Sequence, residues 1–153
     1  MKIKDKTRIK INGKKLKIAI ILPYFNETLG LELLENTKKT LLKNDVLENN
    51  ITLIRVAGTL EIPFACKKIS ARKSECHGII ALGIVIRGET AHFDLVTQTT
   101  YHGLMQLQLS SGIPIAFGIL ACENLKQAQK RVSKTGLNKG KEAAEAILLQ
   151  TQI

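Results

Sequence analysis

The stretch Gly83-Ile84-Val85-Ile86-Arg87-Gly88-Glu89-Thr90-Ala91-His92-Phe93-Asp94 concentrates more chemistry than any other part of the chain. An apolar strand runs into a glycine turn, and a threonine and a histidine follow where a helix should begin. Such a turn aims backbone N–H groups, a hydroxyl and an imidazole at one spot, which suits an anionic substrate and proton transfer. His92 reads as a candidate proton carrier there. Thr90 is the expected N-cap; with a bound phosphate, its hydroxyl and the N–H groups that follow it become donors.

Three further turns carry polar or aromatic residues. Phe25, in Tyr24-Phe25-Asn26, either staples the start of a helix or offers a flat heterocycle a stacking platform. Glu61, closing Gly58-Thr59-Leu60-Glu61, either caps a helix or accepts hydrogen bonds from hydroxyl groups, and Gly58 and Thr59 allow close backbone approach. Cys122-Glu123-Asn124 completes the set. Arg131 and Lys139 flank the Lys134–Asn138 loop and are ordinary solvated charges unless an anion recruits them. Phe117 lies within an apolar strand and is most simply a core residue. His77 has no second ligand at metal-binding spacing, and His102 does not share a helical face with His92. The chain has no nucleophile elbow, P-loop, dinucleotide fingerprint or zinc pattern.

These turns need a scaffold, and the patterning supplies one. Apolar strands are predicted at Lys17–Leu22, Ile51–Ala57, Ile79–Ile86 and Ile113–Leu120. Helices are predicted around Leu29–Leu41, Ile62–Ile69, Ala91–Ser111, Asn124–Val132 and Lys139–Gln150. Strands that are apolar throughout and alternate with helices imply a parallel sheet covered on both faces, with Ile79–Ile86 central. The expected fold is an α/β three-layer sandwich on a four-stranded parallel sheet, flavodoxin-like, with its site at the strand C-termini. Residues 16–153 form a single domain. Residues 1–15 form a basic arm, in which Lys2, Lys4, Lys6, Arg8 and Lys10 alternate with Ile3, Asp5, Thr7, Ile9 and Ile11 as in an extended strand.

Composition narrows the class. The chain has 153 residues, 44% of them hydrophobic and 24% charged, the balance of a folded globular domain. No apolar run is long enough to span a bilayer, and no signal-peptide core follows the N-terminus. Cys66, Cys76 and Cys122 lack any C-x-x-C spacing and read as buried thiols in a reducing cytoplasm. The formal charge is +10, but eight of the 23 Lys and Arg lie in residues 2–17. That distribution argues against dedicated nucleic-acid binding, and anionic substrates or a weak non-specific affinity for polyanions are equally consistent with it.

The blocks Phe25-Asn26, Gly58-Thr59-Leu60-Glu61-Ile62-Pro63, Ala81–Asp94, Gly112–Leu120 and Asn138-Lys139-Gly140, in this order, closely resemble the 6,7-dimethyl-8-ribityllumazine synthase family. The resemblance runs from about Leu16 to Leu149. It implies condensation of 5-amino-6-(D-ribitylamino)uracil with 3,4-dihydroxy-2-butanone 4-phosphate, without cofactor or metal, in riboflavin biosynthesis. By resemblance, Phe25 stacks on the pyrimidine in a slot shaped by Ile84, Val85, Ile86 and Gly58–Leu60. Asn26 supports that pocket, and Glu61 holds ribityl hydroxyls. His92 shuttles protons, while Gly88, Glu89, Thr90 and Arg131 bind phosphate. Phe117 and Lys139 match residues that reach the site from an adjacent subunit. The resemblance further implies a pentamer, and the direct Lys134–Asn138 connector resembles members that build icosahedral shells. Leu60, Ala57 and Lys130 depart from the common family pattern, which bears on affinity rather than on reaction type.

Two other functions compete with this one. An archaeal-type riboflavin synthase would dismutate two lumazines and would need no phosphate turn. A non-catalytic shell or polyanion-binding protein would use the basic arm and leave the turn residues idle.

Overall fold

The computed structural model describes residues 11–72 and 75–153. The alternating arm expected over residues 2–10 lies outside the described residues. The element order is β1 (Ile18–Pro23), α1 (Glu27–Lys43), β2 (Ile51–Val56), α2 (Ile62–Ser70), β3 (Gly78–Ile86), α3 (His92–Ser111), β4 (Ile115–Cys122), α4 (Leu125–Val132) and α5 (Lys139–Gln150). The four strands are all parallel, in the order β2-β1-β3-β4. This is the expected flavodoxin-like arrangement, and no described helix is long and apolar enough to cross a membrane.

Successive strand residues point to opposite faces, so each strand contributes to two cores. Ile18, Ile20, Leu22, Ile80, Leu82 and Ile84 pack with Leu33, Leu41, Val132, Ala144 and Ile147 of α1, α4 and α5. Ala19, Ile21, Ile79, Ala81, Ile115 and Ile119 pack with Ile62, Cys66, Leu104 and Leu107 of α2 and α3. Glycine at position 140 lets α5 lie against α1, because a Cβ there would meet the Leu33 carbonyl at 2.4 Å.

Two expectations need correction. Strand β2 is not covered on both faces: Thr52 and Leu53 are exposed and the rest of the strand is half-buried, as befits an edge. Strand β4 begins at Ile115, after Pro114, since proline has no N–H for the ladder. It extends through Cys122, whose carbonyl still accepts from the Arg87 N–H at 2.9 Å.

The sheet order reverses direction between β1 and β3, the usual place for a ligand crevice in an open α/β sheet. The β1–β3 ladder runs only from Ile18↔Gly78 to Ile21↔Ala81, whereas β3 continues beside β4 to Ile86↔Cys122. The last residues of β3 therefore have one paired edge and one open edge, and the open edge faces the β1–α1 turn.

Candidate active site

The β1–α1 turn is fixed from both sides. Tyr24 N–H donates to the Val56 carbonyl at 2.8 Å, and Phe25 N–H to Ala57 at 3.4 Å. Asn26 adopts φ 58°, a left-handed conformation that asparagine tolerates better than most residues. Its Nδ2 donates to the Ile84 carbonyl at 2.9 Å, bridging to β3 where the β1–β3 ladder has ended. Arg55 braces the same turn. Its Nε donates to the Leu22 carbonyl at 3.1 Å, its Nη2 to Glu27 Oε1 at 2.8 Å, and its guanidinium lies 4.1 Å from the Tyr24 ring centroid. Phe25 itself is 73% exposed. A staple would be buried, so the exposure removes that interpretation and leaves the ring presented to whatever enters the crevice.

After β2, residues Thr59–Glu61 form a single 3₁₀ turn leading into α2. Thr59 is buried, and its hydroxyl would lie in ordinary contact, 3.5 Å, with a Cβ at position 83, so the turn packs close to β3. Glu61 Oε2 accepts the Gly58 N–H at 2.7 Å, which is the capping role. The carboxylate is exposed, and Oε1 has no hydrogen bond among the described residues. Capping and ligand binding are therefore compatible. Leu60 stands 45% exposed beside it.

Along β3, Ile84 is buried while Val85 and Ile86 are half-buried. Gly88, Glu89 and Thr90 are exposed, and a Cβ at Gly88 would meet nothing within 4 Å, so that backbone is open to a ligand. The N-cap expectation for Thr90 needs correction: the cap position is Ala91, and α3 begins at His92. Thr90 Oγ1 instead accepts the His92 N–H at 3.3 Å. The hydroxyl still serves the first turn, where free N–H groups and the helix dipole favour an anion. The His92 side chain is exposed, with no hydrogen bond to its imidazole among the described residues.

A second cluster lies at the open edge of β4, between α3 and α5. A cavity of about 420 Å³ there is lined by Tyr101, Phe117, Arg131, Lys139 and Glu142 with the Gly118–Ala121 segment. Pockets of that size hold small organic ligands. Helix α3 satisfies part of the strand edge: Gln108 Oε1 accepts the Ile115 N–H at 2.6 Å, and Tyr101 Oη donates to the Ile119 carbonyl at 2.5 Å. Burial pushes the Tyr101 hydroxyl above its usual range, with the Cys122 thiol a smaller cause, so it remains a donor. The Tyr101 and Phe117 rings lie 5.7 Å apart, inclined at 36°. Phe117 is only half-buried and lines the cavity, so it is not the simple core residue its strand suggested. Lys139 Nζ pairs with Glu142 Oε2 at 2.6 Å, and Arg131 Nη1 donates to the Gln127 carbonyl at 3.3 Å.

The residues picked from the sequence thus divide into two groups within one chain. Phe25, Asn26, Gly58–Glu61, Ile84–Ile86, Gly88–Thr90 and His92 sit at the strand ends. Arg131 joins Phe117 and Lys139 in the β4 cavity, which Gly88, Glu89 and Thr90 do not line. Tyr101 and Glu142 were not picked. The spacing of Lys139 and Glu142, three apart on a helix, was a usable signal; nothing in sequence marked Tyr101. The buried thiols of Cys66, Cys76 and Cys122 are all raised, chiefly by burial, and are poor nucleophiles. Among the described residues, no three His, Cys, Asp or Glu side chains cluster as metal ligands.

Comparison with known proteins identifies the family. Residues 15–152 match the family model of 6,7-dimethyl-8-ribityllumazine synthase. The chain is 42% identical over 137 residues to the 6,7-dimethyl-8-ribityllumazine synthase of Pediococcus pentosaceus, covering 90% of this chain and 87% of that one. It is 40% identical over 139 residues to the 6,7-dimethyl-8-ribityllumazine synthase of Limosilactobacillus reuteri, covering 91% of this chain and 90% of that one. A family model spanning residues 15–152 and two relatives at 40% identity or more over about nine-tenths of the chain show that it belongs to the 6,7-dimethyl-8-ribityllumazine synthase family.

Proposed function

We propose that the strand-end crevice and the β4 cavity are two halves of one site, which becomes complete when copies of the chain assemble. The enzyme's reaction is the condensation of 5-amino-6-(D-ribitylamino)uracil with 3,4-dihydroxy-2-butanone 4-phosphate to 6,7-dimethyl-8-ribityllumazine, with release of phosphate and water. The observation that carries the assignment of roles is the convergence of Phe25, Glu61, Ile84–Ile86, Gly88–Thr90 and His92 at the sheet's switch point.

In this proposal Phe25 stacks on the pyrimidine over the open edge of Ile84–Ile86, with Asn26 and the Gly58–Leu60 turn closing the slot. The free oxygen of Glu61 accepts from ribityl hydroxyls. Gly88, Glu89 and Thr90 present N–H groups and a hydroxyl to the phosphate. The pyrimidine's amine adds to the ketone and water leaves to form an imine. His92 takes a proton from the adjacent carbon as phosphate departs, and ring closure expels a second water. General acid–base help of this kind contributes typically about 10²–10⁴-fold. Alignment of the two reactants contributes up to roughly 7–11 kcal/mol.

Phe117, Arg131 and Lys139 face outward at the β4 edge, so they serve the crevice of a neighbouring copy. There Arg131 meets the phosphate and Lys139 the pyrimidine-bearing reactant. Leu95, Met105 and Leu109 are exposed along one face of α3 and would be covered in such an assembly. A cytoplasmic pentamer, extended into an icosahedral shell through pentamer contacts, is the form we propose. Metal-free protein mixed with both substrates should produce lumazine absorbance and free phosphate in equal amounts. Folded protein that produces neither would contradict the assignment.

A further inference from the structure

We infer that Arg87 is a positioning residue for His92, acting through a clamp that spans the phosphate turn. Among the described residues the imidazole of His92 has no hydrogen-bond partner, so its direction is set by the backbone of the first turn of α3. That turn follows the exposed segment Gly88–Ala91, where a Cβ at Gly88 would meet nothing within 4 Å.

Besides the buried Phe93, Arg87 restrains that turn. Its N–H extends the β3–β4 ladder by donating to Cys122, so its backbone belongs to the sheet. From that fixed point Nη1 and Nη2 donate to Asp94 Oδ2 and Oδ1 at 2.9 and 3.1 Å. Its Nε donates to Glu123 Oε2 at 2.6 Å, and its guanidinium lies 4.1 Å from the Phe93 ring centroid. Glu123 is in turn held where its N–H donates to Gln127 Oε1 at 3.0 Å. One side chain thus joins the end of β3, the start of α3 and the β4–α4 turn. The fork closes a ring from residue 87 to residue 94, and His92 lies inside that ring.

The Arg87 guanidinium holds the Asp94 carboxyl below its usual range, so Asp94 remains a carboxylate across the working pH and the fork persists. The Arg87 side chain is 35% exposed, and ion pairs open to water add little to global stability. A clamp that contributes little to stability yet closes over a catalytic turn is best explained by geometry, because misplacing a reacting group by about 1 Å can cost roughly 100-fold in rate.

The inference rests on the assignment of His92 as the proton carrier, and the experiment separates the two. Turnover at saturating substrates and the KM of the pyrimidine would be measured for Arg87→Gln, Asp94→Asn, Arg87→Lys, His92→Ala and the Arg87→Gln/His92→Ala pair. The expected result is a turnover loss of about 10- to 100-fold in Arg87→Gln and Asp94→Asn, with the pyrimidine KM within about twofold. Arg87→Lys should recover only part of the loss, since an ammonium cannot fork both carboxylate oxygens. In the double variant the Arg87 change should cost nothing further, because there is no imidazole left to position. Normal turnover in folded Arg87→Gln and Asp94→Asn, or full additivity with His92→Ala, would overturn the inference. Full turnover in His92→Ala would instead remove the assignment on which it rests.

Discussion

The strand-end crevice and the β4 cavity are held in different ways. In the crevice, most of the candidate residues follow strand ends, in turns that side-chain hydrogen bonds and ion pairs brace. Asn26 reaches Ile84, Glu61 closes on Gly58, and Arg87 ties Asp94 to Glu123. In the cavity, Phe117, Arg131 and Lys139 come from β4, α4 and α5, and Tyr101 of α3 supports them at a strand edge with no further strand among the described residues. Under the proposed reaction, the first half orients the groups that react. The second is an outward-facing surface whose charges are modestly tied, as in the Lys139–Glu142 pair, and can be re-paired when a partner arrives.

That contrast predicts different kinetic signatures. His92→Ala should give the largest effect, lowering turnover by about 10²–10⁴-fold while leaving substrate binding nearly intact. Steady-state kinetics would check it, and unchanged turnover would remove the crevice from the proton chemistry. Arg131→Ala should act through binding instead. Losing a charge-assisted hydrogen bond worth about 1.5–3 kcal/mol should raise the KM of the phosphate-bearing substrate roughly 10- to 100-fold. A KM that does not move would sever the cavity from the phosphate.

Phe25→Ala should be milder, because the ring already stands in water and stacking gains are partial. Its KM for the pyrimidine should rise by about fivefold, corresponding to about 1 kcal/mol of stacking. Equal changes for both substrates would mean that the turn, not the ring, had been disturbed.

The smallest effect concerns neither half. Burial pushes the Cys66 thiol up to about 12. A buried acid with a raised pKa contributes fully at low pH, and stability falls as pH rises from the unfolded value near about 8.5. Chemical denaturation at pH 8 and pH 10 should show that decline, and Cys66→Ala should flatten it. An equal slope in both proteins would assign the decline to other groups.

The layered fold was legible because hydrophobic period and turn residues agree along most of the chain. The strand-end half was legible for the same reason: in a parallel sheet, whatever follows a strand lands on one edge. What escaped sequence reasoning depends on distance in space. The half-exposure of β2 and the cavity position of Phe117 follow from strand order, which local patterning does not encode. Tyr101 meets Ile119 only because α3 packs across the β4 edge, and Arg87 meets Glu123 only because β3 and β4 end together. The sequence did suggest a phosphate role for Arg131, but not that it shares a cavity with Phe117 and Lys139 rather than the turn at Gly88.

The most direct measurement of the shared site is complementation between two impaired variants. His92→Ala and Arg131→Ala chains would be co-expressed, and mixed oligomers confirmed by native mass spectrometry and assayed at limiting phosphate-bearing substrate. If each site draws His92 from one copy and Arg131 from its neighbour, about a quarter of the sites in a random mixture should contain both native residues and regain activity. Activity no greater than the average of the separate variants, in oligomers shown to be mixed, would contradict a site built from two copies.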